Sequence, residues 1–342
     1  MKIEENVQLK NLNTFRIGGN ARYFCTIESV SDLQEAVAFA LEKKIPLFVL
    51  GEGSNVLITD DGFAGLVIQV RIKGISWTEK EDYVLAEVAA GENWDNFVGE
   101  AVKRGLFGIE NLSGIPGTVG ATPVQNIGAY GGEISNVIVE VKVCDSLTGE
   151  TASLINSECE FSYRDSIFKR PEGKHWVISS VVYRLVKNGQ LKTDYKDIAA
   201  YFSSLGVVNP TLSDVRDVVL DIRRTKLPDV AKVGTAGSYF KNPIIKKDVY
   251  DELSKKFVGL PNFPVNESHV KIPIAWIIDN VLHLKGFRQG DAAVHENQPL
   301  VLVNLGNSNS YEVLRLADLI KLKVKDATGI DLEEEVQIVG DR

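Results

Sequence analysis

The sequence predicts an α+β protein of roughly two domains, and three observations lead to this fold class. First, the chain has 342 residues, which is more than one compact core usually organises. Second, segments with strand periodicity dominate the chain up to about residue 186, whereas helical periodicity is frequent beyond residue 210. Third, 44% of the residues are hydrophobic and 25% are charged, which is an ordinary globular composition. A second domain is therefore expected at about residues 225–310.

The individual elements follow from apolar periodicity and from turn residues. Residues 31–34 match a capping box, and apolar residues at helical spacing continue a first helix to Leu41. Trp94, Phe97 and Ala101 share one face of a second helix, which Gly105 is suited to end. Further helices are predicted at 213–224, 248–257, 274–284 and 311–325. Strands are predicted at 22–28, 45–50, from 56, and at 65–70, 83–90, 137–143, 176–186, 299–304 and 334–339.

Charge and cysteine content exclude several classes of protein. The net charge is −8, so a general binder of nucleic acid is not expected, although a small anion could bind where cations cluster. The three cysteines are odd in number and form no CxxC pair, which argues against a disulfide framework and a zinc ribbon. The polar N-terminus is not a signal peptide, and the apolar runs are too short to span a bilayer. The sequence therefore predicts a cytoplasmic protein without a metal site or a membrane partner.

Two glycine-rich segments are candidates for binding a ligand. Residues 108–132 contain seven glycines and one charged residue, Glu110, which is unlike a polar linker. The backbone of such a segment can approach a dinucleotide or a flavin closely, although a tightly turned buried loop without a ligand would also fit. Residues 51–55, Gly-Glu-Gly-Ser-Asn, follow a strand and could be a phosphate loop or a plain turn. They match neither the Rossmann fingerprint nor a Walker loop.

Two groups of cations have two interpretations each. Arg164 could form a surface ion pair with Asp165, or it could be a fixed cation that is aimed at a carboxylate. Arg223, Arg224 and Lys226 lie at the predicted end of a helix. They could complement the helix dipole, or they could bind phosphate.

Ser238 lies in a polar segment that contains glycine, and its role is open at this point. The segment is not a Gly-x-Ser-x-Gly elbow, so a hydrolase nucleophile is not indicated, although His295 and Glu335 could serve one. A serine that donates a proton instead of attacking remains open. The run Glu333 to Glu335 is typical of a solvated surface, or one member could point inward ahead of Val336.

The order of six motifs carries a resemblance to a known family. They are Asn13-Thr14-Phe15, then Gly51-Glu52-Gly53-Ser54-Asn55, then residues 114–120, then 125–131, then Tyr163-Arg164-Asp165-Ser166, and finally Ala236-Gly237-Ser238-Tyr239-Phe240-Lys241-Asn242-Pro243. In this order the sequence closely resembles the UDP-N-acetylenolpyruvoylglucosamine reductase family from about residue 11 to 340. The long segment between Arg164 and Lys226 resembles the longer form of that family.

The resemblance implies a fold, cofactors and an activity. It implies a vanillyl-alcohol-oxidase/PCMH-type FAD-binding fold plus a smaller α/β substrate-binding domain. The FAD-binding region would be 1–215, with subdomains at about 1–70 and 71–215 and with 311–342 packing back onto it. The substrate-binding domain would be 225–310. The implied reaction uses NADPH and non-covalent FAD to reduce an enolpyruvyl UDP-sugar to UDP-N-acetylmuramate, a peptidoglycan precursor, and a monomer is expected.

The resemblance also implies roles for individual residues. Ser238 would be the proton donor, with Arg164 and Glu335 as its catalytic partners. The substrate-binding residues would be Tyr195, which would cover the nucleotide, and Lys226, Asn242 and Gln298. The cofactor-binding residues would be Gly51, Gly53, Ser54, Asn55, Ile115, Gly117, Gly120, Ala121, Thr122 and Gly128.

Three alternatives remain. One is another FAD-dependent oxidase or dehydrogenase of the same fold, although residues 108–132 contain no histidine for a covalent flavin link. Another is a non-catalytic nucleotide-binding module, against which the contexts of Arg164, Ser238 and Glu335 argue. A serine hydrolase is the third.

Overall fold

A computed structural model describes residues 1–340, and contacts between residues divide the chain into two compact units. Unit 1 comprises Met1–Val7, Ala21–Glu52 and Ala64–Thr225. Unit 2 comprises Gln8–Asn20, Gly53–Phe63 and the chain from Lys226 onward. Each unit is therefore assembled from segments that are far apart in the sequence.

The helices and strands have the following bounds. The α-helices are α1 (Val30–Lys43), α2 (Trp94–Lys103), α3 (Lys196–Leu205), α4 (Leu212–Lys226), α5 (Lys247–Lys256), α6 (Ile274–Asn280) and α7 (Ser310–Thr328). The strands are β1 (Glu4–Gln8), β2 (Asn20–Ile27), β3 (Leu47–Leu50), β4 (Val56–Ile58), β5 (Phe63–Val70), β6 (Ile75–Glu79), β7 (Tyr83–Ala89), β8 (Gly128–Ala129), β9 (Gly132–Glu133), β10 (Ile138–Asp145), β11 (Thr151–Ile155), β12 (Trp176–Val186), β13 (Gly234–Ser238), β14 (Ile244–Lys246), β15 (Phe263–Pro264), β16 (His269–Lys271), β17 (Arg288–Gln289), β18 (Ala292–Val294), β19 (Val301–Asn304) and β20 (Gln337–Val339).

Unit 1 contains two sheets with separate apolar clusters. One sheet has the order β1-β2-β5-β3, with β3 parallel to β5, and its cluster includes the buried face of α1. The other sheet is antiparallel with the order β11-β10-β12-β7-β6. On this second sheet, Trp94 and Phe97 of α2 pack against Tyr183 of β12, with ring centroids 5.9 and 5.2 Å away. These aromatic contacts fix the start of α2, which lies beside the glycine-rich loops.

Unit 2 is organised around α6 and α7. Both helices bury apolar residues in one cluster, which also contains Phe15, Tyr239 and Phe240. The sheet β13-β19-β18-β17, the smaller sheet β14-β16-β15 and the parallel pair β4-β20 complete the unit. The resemblance implied that 311–342 packs onto the FAD-binding region, whereas the contacts group α7 with unit 2 because its apolar face shares this core.

Most of the predicted elements are present, and three differences have local causes. The cap of α1 is Ser29, whose side chain accepts a bond from the Asp32 N–H, so the helix starts before the predicted box at 31–34. Helix α6 ends at Asn280 instead of 284, because the chain turns into the left-handed region at His283. Helix α3 was not predicted, since Tyr195 at its N-cap makes no side-chain capping bond.

Candidate active site

Two of the predicted glycine-rich loops meet in unit 1. A Cβ atom on Gly51 would lie 2.7 Å from Thr118 Oγ1, and one on Gly120 would lie 2.7 Å from the Cβ of Ala90. Gly117, at φ +123°, adopts a backbone conformation that favours glycine. The backbones of both loops therefore approach their neighbours more closely than any side chain would permit.

The other residues predicted to bind the cofactor have different degrees of exposure. Ala121 is exposed, Ile115 and Gly128 are partly buried, and Thr122 is buried. The Thr122 hydroxyl bonds to the Val119 carbonyl and to the Tyr183 hydroxyl, both at 2.8 Å, so it serves the packing of the loop. The Thr122 N–H also donates to the Val119 carbonyl at 3.0 Å, and its carbonyl accepts from the N–H of Ile127 at 3.2 Å, so its backbone likewise serves the packing of the loop.

Gly53, Ser54 and Asn55 belong to unit 2. A Cβ on Gly53, at φ +66°, would lie 2.6 Å from the Cβ of Asn13. The Asn55 side chain donates to the backbone carbonyl of Glu335 at 3.2 Å, which ties this loop to the C-terminal strand region.

These loops suit a dinucleotide such as FAD. A diphosphate needs several N–H donors at close range, and glycine-rich turns present backbone N–H groups without side chains in the way. A Cβ at position 51 or 120 would force a neighbouring group of unit 1 to shift, so the close approach of the backbone is built into the fold of this unit. The chemistry of the loops therefore fits the cofactor that the sequence predicts.

Arg164 lies on a tight turn in unit 1. Ser162 and Asp165 exchange backbone hydrogen bonds at 3.1 Å, and Arg164 between them adopts φ +54°. The Arg164 Nη2 donates to the carbonyl of Gly128 at 2.7 Å. Asp165 forms an ion pair with Arg170 at 2.9 Å, whereas one interpretation of the sequence paired it with Arg164. The guanidinium of Arg164 is therefore fixed beside the glycine-rich stretch.

Tyr195 lies in an aromatic and cationic cluster of unit 1. Its ring meets the ring of Tyr130 edge-on, with centroids 5.5 Å apart, and it remains 38% exposed. Arg223 donates from Nε to the carbonyl of Gly114 at 3.0 Å. Burial raises the pKa of Tyr130 and lowers the pKa of Arg223, although the charge of Arg223 opposes the rise for Tyr130. Tyr130 was not predicted as a site residue, and its place in segment 125–131 was the available signal.

Ser238 ends β13 at an irregularity of the sheet. The strand uses three residue steps from Thr235 to Ser238 where β19 uses two, which is a β-bulge. Gly237 within the bulge has φ +76°, a conformation that favours glycine. The next two residues, Tyr239 and Phe240, are fully buried. The partly buried Ser238 side chain is therefore re-aimed by a bulge and anchored on its C-terminal side by the core.

The motif at residues 13–15 supports the same strand. Thr14 donates from its hydroxyl to the Thr235 carbonyl at 2.6 Å, and the Thr235 N–H donates back to the Thr14 carbonyl at 3.0 Å. The Asn13 amide bonds to two carbonyls of its own loop at 2.8 and 2.9 Å, which fixes the loop shape. This motif therefore braces the strand that carries Ser238.

The three adjacent glutamates have different surroundings. Glu333 is exposed and pairs with Lys241 at 2.8 Å, and Glu334 pairs with Lys321 at 3.4 Å. The Glu335 N–H donates to the Tyr239 carbonyl at 2.8 Å. Because Tyr239 follows Ser238, the structure brings Glu335 next to the serine segment within unit 2.

The remaining predicted substrate residues are partly buried. The Asn242 side-chain oxygen accepts from the N–H of Ile274 at 3.0 Å and so caps α6. Gln298 lies in a turn, where its N–H donates to His295 Nδ1 at 3.2 Å. Lys226 ends α4.

His295 does not have the geometry of a catalytic base for Ser238. In a Ser-His-acid triad, Nδ1 carries a proton and donates it to the carboxylate. Here Nδ1 accepts from the N–H groups of Asn297 and Gln298, and burial lowers the pKa of the imidazole. The structure therefore argues against the serine hydrolase alternative.

Other reactive groups give no second centre in the described part of the chain. Cys25, Cys144 and Cys159 are free and buried, and burial raises the pKa of Cys25 to about 11 and that of Cys159 to about 12. Between residues 1 and 340, no three His, Cys, Asp or Glu side chains are arranged to hold a metal ion. Over the same residues, every helix is too short or too polar to cross a membrane.

Comparisons with known proteins agree with this arrangement. Residues 21–154 match the FAD binding domain family, and residues 229–339 match the C-terminal domain of UDP-N-acetylenolpyruvoylglucosamine reductase. The reductases of that name from Chromobacterium violaceum and Flavobacterium johnsoniae are each 42% identical, and each match covers 99% of this chain. Those matches span 99% and 100% of the two relatives.

A solved structure supports the same assignment. The crystal structure of the reductase from Thermus caldophilus aligns over 99% of this chain and 100% of its own, with 26% identity and a TM-score of 0.70. The resemblance that the motifs carried is thus confirmed over the full length. The chain belongs to the UDP-N-acetylenolpyruvoylglucosamine reductase family and combines a PCMH-type FAD-binding domain with the C-terminal domain of that family.

Proposed function

We propose that this protein reduces UDP-N-acetyl-3-O-(1-carboxyvinyl)-glucosamine to UDP-N-acetylmuramate, with FAD as a non-covalent cofactor and NADPH as the reductant. The observation that carries the proposal is the 42% identity to a reductase of this name over 99% of both chains. Such a match includes both the FAD-binding domain and the C-terminal domain. The product is a peptidoglycan precursor, and the reaction would take place in the cytoplasm.

The reaction adds a hydride and a proton across the carbon–carbon double bond of the enol ether. FAD, which the loops around Gly51 and Gly117 would hold, would supply the hydride chemistry when bound, with NADPH as the hydride source and the methylene carbon as the hydride acceptor. Negative charge then develops on the neighbouring carbon and spreads into the attached carboxylate. The protein's tasks are to stabilise that charge and to deliver the proton.

Arg164 is proposed to stabilise the developing charge. A guanidinium is permanently charged and can bind a carboxylate with two parallel hydrogen bonds. Its anchoring to the Gly128 carbonyl reduces the freedom that would otherwise be lost when the substrate binds. A fixed cation of this kind is worth most where charge appears in the transition state.

Glu335 is proposed to act on the same carboxylate as a protonated acid that donates a hydrogen bond. Desolvation by the bound substrate would favour the neutral form of the side chain. The two preceding glutamates, Glu333 and Glu334, pair with Lys241 and Lys321. The backbone N–H of Glu335 donates to the carbonyl of Tyr239, the residue after Ser238, and this position supports the choice of Glu335.

Ser238 is proposed to deliver the proton to the carbanionic carbon. A serine hydroxyl is a weak acid, but the enolic intermediate is a strong base, so placement matters more than acidity. The bulge in β13 and the buried residues after it supply a defined placement.

The proposed substrate-binding residues are Tyr195, Lys226, Asn242 and Gln298. Lys226 would offer a cation to the diphosphate. The Asn242 oxygen already caps α6, so its amide nitrogen would be the group that faces a ligand. Tyr195 would cover the nucleotide from the start of α3.

Two measurements test the proposal. The purified protein should show flavin absorbance, the flavin should separate from the chain on denaturation, and NADPH oxidation should depend on the UDP-enolpyruvyl sugar. Colour that stays with the denatured chain would instead favour a covalent flavoprotein. A protein that binds no flavin even after FAD is added would refute the proposed function.

Ser238→Ala separates the two halves of the reaction. The variant should still allow NADPH to reduce the flavin, whereas substrate reduction should fall by about 100-fold or more. Ser254→Ala is the matched control, since it removes a hydroxyl of unit 2 that bonds only to the Asp251 carbonyl of its own helix. Near-normal substrate turnover by Ser238→Ala would overturn the assignment of the proton donor.

A further inference from the structure

The Glu52 carboxylate joins the two glycine-rich loops. One oxygen, Oε2, accepts from the Gly117 N–H at 3.1 Å, and the other, Oε1, accepts from the Asn93 side-chain amide at 2.9 Å. The Gly117 carbonyl in turn accepts from the N–H of Trp94 at 3.0 Å. The backbone N–H and the backbone carbonyl of Gly117 are therefore held by Glu52 and by the start of α2.

The Asn93 side chain has a fixed orientation. Its oxygen accepts from the N–H of Asn96 at 3.0 Å and so caps α2. Only its amide NH₂ remains to face Glu52. Glu52 thus meets two donors, and two acceptor atoms are needed to satisfy both of them.

A carboxylate satisfies this requirement, whereas an amide does not. Replacing Glu52 with glutamine would point an NH₂ group at either the Gly117 N–H or the Asn93 NH₂. A carboxylate is otherwise an unfavourable neighbour for a diphosphate, because two negative groups repel each other. A negative charge at position 52, beside the cofactor, is therefore explained by the two hydrogen bonds that the carboxylate accepts, because these bonds fix the loops relative to each other.

We infer that Glu52 is a positioning residue for FAD. Its carboxylate holds the backbone of Gly117 against the loop that begins at Gly51. The inference rests on the proposed function to the extent that Gly51 and Gly117 bind the cofactor. It assigns to Glu52 no contact with the reacting atoms. Its effect on FAD passes through the Gly117 peptide.

The test measures FAD affinity and not turnover. FAD is removed from the holoprotein, and the apoprotein is titrated with FAD while flavin fluorescence is followed. Glu52→Gln should raise the Kd for FAD by about tenfold or more, since a hydrogen bond to a charged acceptor becomes a clash of donors. The melting temperature of each apoprotein is measured in parallel.

Glu92→Gln is the matched control. Glu92 also accepts from a glycine N–H, that of Gly74 at 2.8 Å, and it lies one residue before Asn93. Its side chain does not join the two loops. The same loss of charge at this position should leave the Kd for FAD within about twofold of wild type.

A second substitution provides a rescue. In the double variant Glu52→Gln with Asn93→Asp, the new amide oxygen can accept from Gly117 while its nitrogen donates to the new carboxylate. The other oxygen of that carboxylate can still cap α2. The double variant should bind FAD within about threefold of wild type, although each single variant binds less tightly, because the pattern of donors is restored.

The outcomes are decisive in each case. Weakened binding in Glu52→Gln with recovery in the double variant supports the inference. An unchanged Kd in Glu52→Gln, or a double variant no better than Glu52→Gln alone, overturns it while the proposed function stands. A wild-type protein that binds no FAD overturns the inference and the proposed function together.

Discussion

Asp95 offers a prediction whose size can be worked out from the structure. Its carboxylate accepts from the Gly114 N–H at 2.6 Å and from both terminal nitrogens of Arg216 at 2.6 and 2.9 Å. Asp95 lies in the first turn of α2, Arg216 lies on α4, and Gly114 begins the glycine-rich loop. Asp95→Asn would replace one acceptor oxygen with a donor and leave Arg216 without its counter-charge.

The expected loss is about 2–3 kcal/mol of unfolding free energy. A hydrogen bond to a charged group contributes about 1.5–3 kcal/mol, and three such bonds converge here. However, the side chains of Asp95 and Arg216 are 31% and 17% exposed, so solvent screening reduces the total. For a domain of this size the loss corresponds to a melting temperature lower by about 4–12 °C.

The same carboxylate makes a prediction about pH. Burial by itself would raise the pKa of Asp95, but the hydrogen bonds from Arg216 and from the Gly114 N–H outweigh it, so the pKa lies below its ordinary value. A carboxyl group with a lowered folded pKa stabilises the protein fully above its unfolded pKa and loses that contribution as the pH falls through the folded pKa. The difference between wild type and Asp95→Asn should therefore be full at pH 7 and shrink in strong acid.

Denaturant unfolding of both proteins at several pH values measures this difference. Glu100→Gln is the matched control on the same helix, because its pair with Arg104 is exposed on both sides and should contribute less than about 0.5 kcal/mol. If Asp95→Asn cost no more than this control, or if its cost were the same at pH 7 and in strong acid, the reasoning would be wrong.

Three further predictions concern single side chains. Thr235→Val should cost about 1–3 kcal/mol in denaturant unfolding, since the buried hydroxyl donates to the Leu302 carbonyl at 2.9 Å; an unchanged midpoint would contradict this. Gly120→Ala should destabilise the protein by about 1–3 kcal/mol and weaken FAD binding, because the new Cβ would lie 2.7 Å from the Cβ of Ala90; normal FAD titration would count against the close approach. Lys226→Ala should raise the KM for the UDP-sugar by about tenfold with little effect on flavin reduction; an unchanged KM would remove its role with the diphosphate.

The fold was predictable where local signals and packing agree. Helix α2 has its apolar face, its Asn93 cap and Gly105 beyond its end, and it lies where the sequence predicts it. Strand β12 is a long apolar run and is equally clear. Helix α3 buries only Ile198 and Phe202. Its apolar face is therefore recognisable only when it is seen packed against α4.

Local sequence patterns do not show which segments of the chain form each unit. Residues 8–20 and 53–63 belong to unit 2, although the rest of that unit begins only at Lys226, 163 positions after Phe63 (226 − 63). The contacts responsible are specific, such as the bond between Thr14 and Thr235, and no periodicity encodes them. Likewise, the polar strand β1 is held at a sheet edge by its neighbour β2 and not by an apolar pattern of its own.

The residues of the site divide in the same way. Gly51, Gly117 and Gly120 were recognisable because glycine is required where the backbone must come close to its surroundings. The link through Glu52 was not recognisable, since a glutamate within a turn is usually exposed and unconstrained. The role of Glu52 depends on hydrogen bonds from Asn93 and Gly117, which lie 41 and 65 residues further along the chain.

The role proposed for Ser238 illustrates why a proton donor is difficult to recognise in a sequence. A nucleophilic serine needs a neighbouring base, and that base is a second residue that can be recognised in the sequence. A serine that protonates a strong base needs only the correct position. The position of Ser238 is set by a bulge, by Gly237 in a left-handed conformation, and by the buried residues Tyr239 and Phe240. The His295 ring, which the sequence offered as a base for Ser238, already accepts hydrogen bonds from two backbone N–H groups. The chemistry assigned to Ser238 therefore depends on the rigidity of unit 2 around it, and substitutions that relax the bulge should impair substrate reduction before they impair flavin reduction.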